Sequence, residues 1–173
     1  MDLSAIYSYP IKSARGHSLA TAGVDRFGLC GDRRWMLIDS AGQFYSQRRA
    51  PAIALLEVES IEGGLRLSFA GESVELEIPG AQHGRVPATV WEHTIPARCA
   101  DARVNVWLSE RLGEELRLVF CPEDAHRPID PDYLPDSGPE QHVGFADGFP
   151  LLLVSQASLD DLNQRLPLSV PMD

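Results

Sequence analysis

Between Ala54 and Ile78 the chain alternates apolar and polar side chains in three short runs, ALLEVESI, LRLSFA and VELEI, separated by EGG and GES. A period of two puts successive side chains on opposite faces of an extended strand. Leu65, Leu67 and Phe69, then Val74, Leu76 and Ile78, therefore predict half-buried antiparallel strands joined by tight turns. The same logic extends in both directions. LSAIYSY reads as a strand ended by Pro10, which offers no ladder donor, and HSLATAGV and RRWMLID read as the next two. DSAGQ has the composition of a hairpin turn into FYSQR, and TVWEH with IPARCA predicts a further hairpin.

The period changes after IPARCA. Val104, Trp107, Leu108 and Leu112 fall at helical spacing, with Asp101 placed to cap the start and Gly113 to end the helix. LRLVFC is one more strand. From Cys121 to Val143 five of the chain's 13 prolines lie among acids and glycines, the composition of a long loop that is either disordered or functional. FPLLLVS predicts a strand leading into the helix SLDDLNQRL, which Ser155 or Ser158 can cap. Many short strands with two late helices indicate an α+β chain, mainly antiparallel β, with a barrel-like sheet and its short helices in the C-terminal half.

Composition narrows the function classes. At 44% hydrophobic and 23% charged over 173 residues, the chain can bury a core and lies far from the profile of disorder. A net charge of −10 argues against non-specific nucleic-acid binding. No apolar run reaches membrane-spanning length and MDLSAIYSYP has no signal-peptide pattern, so the expected location is cytoplasmic, with no membrane contact. Cys30, Cys99 and Cys121 are widely spaced without a CxxC pair and are expected to be buried reduced thiols. The five histidines show no HxH or HExxH spacing, and GxSxG, P-loop and GxGxxG patterns are absent. Asp130, Asp132 and Asp136 resemble a calcium loop only loosely, lacking its glycine and distal glutamate.

The distribution of charge says more than its sum. Residues 1–50 hold seven basic residues against four acids, whereas the other 123 residues hold eight against twenty-one. Such a segment can focus the field on one anionic ligand, or can consist of arginines paired with local acids. Three stretches carry the candidates. In YPIKSARG, Lys12 is the only lysine of the chain, and Ser13 adds a hydroxyl and a backbone N–H, the equipment for a phosphate or carboxylate. A solvated turn lysine is the alternative. In GLCGDRRW, strand alternation sends Arg33 and Trp35 to one face and Arg34 to the other, so one arginine points inward and must meet Asp32, another internal acid or a ligand. SQRRAP offers Gln47, Arg48 and Arg49 as a weaker third contact, in which one arginine is expected to be solvated and one paired.

YPIKSARG, GLCGDRRWMLID, SQRRAP, VWEHTIPARCADARVNVWLSERLG and FADGFPLLLVSQASLDDLN follow one another in the order found in the MOSC family, the molybdenum-cofactor sulfurase C-terminal superfamily with its N-terminal β-barrel domain, which the chain resembles. The resemblance is loosest from Ser60 to Pro87 and in the proline-rich loop. It implies a β-barrel domain over residues 1–121, the loop over 122–147 and the start of a MOSC domain over 148–173. It also implies a molybdenum oxidoreductase that reduces N-hydroxylated small molecules with electrons from a redox partner. Lys12, Ser13 and Arg33 occupy the positions that contact the pterin of the molybdenum cofactor in that family. The family continues with a segment reading roughly R-F-R-P-N and, later, a cysteine that ligates molybdenum; no cysteine here matches it. The expectation is thus an N-terminal fragment, inactive alone, with molybdopterin held in the complete protein and none held tightly by residues 1–173. A non-catalytic barrel module that captures a small anion or a protein carboxylate is the alternative.

Overall fold

The computed structural model describes residues 2–134 and 141–169. Among the described residues, eleven strands in antiparallel ladders, two α-helices and two short 3-10 segments make up the regular structure. Strand β1 (Ile6–Ser8) pairs with β2 (His17–Leu19), and β3 (Val24–Asp25) with β4 (Gly28–Leu29), around the opening turns. Strand β5 (Trp35–Ile38) follows. The alternating region forms the three-stranded sheet β6 (Glu57–Ile61), β7 (Gly64–Phe69) and β8 (Glu72–Glu77), in which Leu67 faces Val74 and Leu65 faces Leu76. Strands β9 (Arg85–Val90) and β10 (His93–Cys99) make the expected hairpin. After α1 (Ala102–Leu112), β11 (Arg117–Phe120) inserts between β10 and β5 to complete a curled four-stranded sheet in the order β5-β11-β10-β9. The fold is α+β, mainly antiparallel β and barrel-like, with its helices in the C-terminal half.

Strand β5 is central because both of its faces are buried. Trp35 and Leu37 join Leu118, Leu65, Leu67, Val104 and Leu108 in one apolar cluster between the two sheets and α1. Met36 and Ile38 join Val90, Ile95, Val119 and Phe145 in a second. Helix α1 ends at Gly113, whose left-handed backbone (φ 75°) lets its N–H reach the Ser109 carbonyl. Asp101 stands at the N-cap position but caps through its backbone oxygen alone, which accepts from Val104 and Asn105. In α2 (Gln156–Arg165) Ser155 is the capping side chain and accepts from the Ser158 N–H.

Three expectations need correction. FPLLLVS is not a strand: residues 149–155 pair with no ladder, and Leu152 and Leu153 are 85% and 76% exposed. Its apolar run indicates burial, but no described element covers it. FYSQR makes a single isolated bridge, Phe44 with Ile38, next to that of the preceding Gln43 with Thr89, and the chain then turns into a 3-10 segment (Pro51–Leu55). Of the thiols only Cys121 is buried; Cys99 is half-buried, and Cys30, in the turn after β4, is exposed. Burial pushes the Cys121 thiol up to about 11, an inert setting.

The described parts of the proline-rich loop are ordered. Residues Cys121–Leu134 run out and 141–147 run back, joined by backbone hydrogen bonds from Ile129 to Gln141 and from Val143 to Arg127. Ile129, Val143 and Ala146 form a small core beneath them. Asp130 caps a short 3-10 turn (Pro131–Tyr133) by accepting from the Asp132 N–H, while Asp136 lies outside the described residues. Among the described residues no group of three or more His, Cys, Asp or Glu is placed to hold a metal, and no helix is long and apolar enough to cross a membrane.

Candidate functional site

The turn after β1 is fixed by hydrogen bonds to the chain entering β5. Lys12 N–H donates to the Trp35 carbonyl (2.8 Å), Trp35 N–H to the Pro10 carbonyl (3.0 Å) and Arg33 N–H to the Tyr9 carbonyl (2.8 Å). Asp32, 5% exposed, accepts from the Tyr9 N–H at 2.7 Å. These bonds bring YPIKSARG and GLCGDRRW edge to edge. They also hold Ser13 (φ 70°) and Arg33 (φ 46°) in the left-handed region, which non-glycine residues rarely enter. Backbone strain of this kind gathers at binding sites, where the surrounding structure enforces it.

Between the two turns lies a cleft of about 270 Å³. Lys12, Ser13 and Arg33 all line it, as do Gln47 and Arg48 of SQRRAP and, from far along the chain, Asp147. Gln47 donates through its side-chain amide to the Ser13 carbonyl (2.8 Å) and so ties the third loop to the first. Arg33 is ion-paired with Asp32 and lies over the Tyr9 ring at 4.9 Å. Arg48 lies over the Trp91 indole at 5.2 Å, and Trp91 in turn packs on Phe44 at 4.9 Å. The cleft thus gathers three cations, the hydroxyls of Ser13, Ser46 and Tyr9, the Asp147 carboxylate and the rings of Tyr9 and Phe44.

Lys12 is not the solvated lysine that a turn position suggests; it is 7% exposed. Its ammonium donates to the Phe145 carbonyl (2.8 Å) and to the Asp147 carboxylate (2.5 Å), and a buried cation needs such partners. Burial pulls its pKa below the usual lysine range, Asp147 opposes the shift, and Arg127 and Arg33 add to it. Asp147 also accepts from the Trp91 indole N–H at 3.0 Å. Arg127, 3% exposed, braces this arrangement from behind by donating to the carbonyls of Gly144, Ala146 and Asp147.

The inward arginine of GLCGDRRW is Arg34, because β5 begins only at Trp35 and Arg33 still belongs to the turn. Arg34 is 5% exposed, lies between the Phe27 and Phe120 rings, and meets Glu123, Asp25 and the Cys121 carbonyl. It has a structural task. Pairing with acids also takes up Arg15 (Glu57) and Arg49 (Asp39 and Glu114), so much of the basic N-terminal segment is internally neutralised. What faces the cleft is Lys12, Arg33 and Arg48. Asp147, Arg127 and Trp91 escaped the sequence reading, since nothing in local spacing links residue 147 to residue 12. The acid in FADGFP, isolated within an apolar stretch, was the available sign.

Fold and cleft together define a small antiparallel barrel domain with a cationic, aromatic-rimmed pocket at its opening turns. The MOSC N-terminal beta barrel domain family matches residues 1–115, and the chain belongs to that family. It is 28% identical over 186 residues to the molybdenum cofactor sulfurase of Oryza sativa subsp. japonica, across 96% of this chain and 21% of the sulfurase. It is 29% identical over 182 residues to the human mitochondrial amidoxime-reducing component 1, across 97% of this chain and 52% of that protein. The chain therefore spans about half the length of the amidoxime-reducing relatives and about a fifth of the sulfurases. A Bordetella bronchiseptica protein of known solution structure aligns with a TM-score of 0.46 and 21% identity, over 66% of this chain and 92% of its own.

Proposed function

We propose that this chain is the N-terminal β-barrel portion of a molybdenum-cofactor oxidoreductase that reduces N-hydroxylated compounds, and that its cleft anchors the pterin end of the cofactor. The observation that carries the reading is the convergence of Lys12, Ser13 and Arg33 on one cleft, in strained turns that hydrogen bonds between the segments hold in place. The residues present fit such a group. Lys12 and Arg48 offer positive charge to its phosphate, Arg33 offers a planar fork, Ser13 a hydroxyl, and Phe44 and Tyr9 apolar ring surface. When bound, the cofactor supplies the two-electron chemistry; this chain's residues bind it, orient it and hold charge near it. None of the three cysteines lines the cleft, so the barrel contributes anchoring rather than a metal ligand. The electron donor in this reading is a separate redox partner.

The test uses the full open reading frame that encodes this chain, purified from a host that makes molybdopterin. Stoichiometric molybdenum in the wild type, lost in Arg33→Lys and Lys12→Met, is the expected result. A wild-type protein without molybdenum overturns the reading. A second reading, a module that captures a small anion or a protein carboxylate, is favoured by the Lys12–Asp147 contact, in which the cleft already holds a carboxylate.

A further inference from the structure

We propose that Asp147 sets the charge of the ligand that the cleft accepts. Its carboxylate occupies Lys12 as an internal monoanion, so a phosphate monoester bearing two charges displaces it while a singly charged anion of the same shape does not. The inference rests on reading the cleft as an anion site.

The Lys12 ammonium has three N–H donors. One goes to the Phe145 carbonyl and one to Asp147, and burial to 7% exposure leaves little room for a further partner. An incoming anion that engages the Lys12 charge therefore competes with Asp147. The exchange is feasible because the Asp147 side chain is already 65% exposed and passes into water on release. The backbone need not move. Arg127 holds the carbonyls of Gly144, Ala146 and Asp147, so rotation of one side chain suffices.

Charge then decides which anion succeeds. Asp147 is tethered, which gives its carboxylate an effective concentration of about millimolar or higher. A monoanion replaces one negative charge by another and in addition loses its freedom of translation and rotation. A dianion brings a second charge to a site where Arg33 and Arg48 also face the cleft, and gains attraction that the displaced carboxylate did not supply. Phosphate monoesters are mainly dianions at about pH 7.5, because their second pKa lies near about 6.

Having a single lysine makes the test direct, since lysine labelled with ¹⁵N at Nζ gives one ammonium signal. That signal is titrated in the 173-residue chain with phenyl phosphate and with phenyl sulfate, a monoanion of nearly the same shape, at about pH 7.5. Wild type should prefer phenyl phosphate by about tenfold or more. In Asp147→Asn, phenyl sulfate should bind about tenfold more tightly and the preference should fall to about threefold or less. Equal affinity for both probes in wild type, abolished by Lys12→Met when followed through backbone amide signals, overturns the charge selection and leaves the anion site standing. Weaker binding of both probes in Asp147→Asn also overturns it, making Asp147 a brace. If neither probe binds wild type or Asp147→Asn, the anion reading falls as well.

Discussion

The Lys12 ammonium and the Asp147 carboxylate meet at 2.5 Å across 135 residues of sequence, and the contact closes the proline-rich excursion over the opening turn of the barrel. The Lys12 ammonium also reaches the Phe145 carbonyl, and the Phe145 N–H returns to the carbonyl of Arg33, so the two candidate turns and the returning loop form one connected unit. The candidate site and the loop anchor share a residue.

Lys12, besides lining the cleft, should therefore contribute to stability. Lys12→Met keeps much of the stem's volume but leaves the Phe145 carbonyl without its charged donor, at a cost of about 1–3 kcal/mol. A lower urea midpoint near neutral pH measures this. Arg85→Ala removes an exposed pair with Asp124, away from the cleft, and should leave the midpoint unchanged. Equal midpoints for the two variants would show that the Lys12 contacts carry no folding energy.

Asp147 gives the pH dependence. Burial raises its carboxyl, but the hydrogen bond and charge of Lys12, helped by Trp91 and Arg48, outweigh this and hold it below the ordinary value of 3.8. A depressed carboxyl contributes stability that is present above the unfolded value and is lost as pH falls through the folded one. The difference in stability between wild type and Asp147→Asn should hold steady from about pH 7 to about pH 5, then close as the pH drops below the ordinary value. A difference that persists unchanged to about pH 2 would mean the carboxylate's charge is not what stabilises the contact.

Much of this fold could be read from the chain because its strands are short and amphipathic. Leu65, Leu67, Val74 and Leu76 alternate, and they face one another across β7 and β8 as the period requires. Residues with more than one constraint were harder. Arg33 and Arg34 look equivalent in DRRW, and only the start of β5 at Trp35 decides that Arg34 goes inward while Arg33 stays in a left-handed turn at the cleft. FPLLLVS has the apolar content of a buried strand, yet strand formation needs a partner that local sequence does not specify. Lys12, Ser13 and Arg33 were accessible through motif resemblance. Asp147 and Arg127 required the three-dimensional return of a loop.

Ser13 separates strain from chemistry. Its φ of 70° is unfavourable for any side chain, so Ser13→Gly should leave stability unchanged or raise it by up to about 1 kcal/mol, the relief being offset in part by a more flexible unfolded chain. Ser13→Ala keeps the strain and loses only the hydroxyl. If the hydroxyl holds the ligand, both variants should weaken phenyl phosphate binding by about three- to tenfold. Unimpaired binding in Ser13→Ala would remove the hydroxyl from the site and leave only the backbone of the turn.

Arg48 and Arg49 are adjacent in sequence and differ in surroundings. Arg49 is ion-paired with Asp39 and Glu114 and lies over the Tyr45 ring, outside the cleft lining, whereas Arg48 lines the cleft and stacks on Trp91. Arg48→Ala should therefore weaken phenyl phosphate binding by about three- to tenfold with no change in the urea midpoint. Arg49→Ala should do the reverse, lowering the midpoint slightly, because Arg49 is itself half-exposed, and leaving the affinity as it was. Arg48→Lys is the sharper variant. It retains the charge but loses the planar stack on the indole, so partial rescue of binding measures charge, and the remaining deficit measures the orientation that Trp91 gives the guanidinium. An Arg48→Ala chain that binds phenyl phosphate as tightly as wild type would place this arginine on the rim only, and leave Lys12 and Arg33 as the cations that hold the anion.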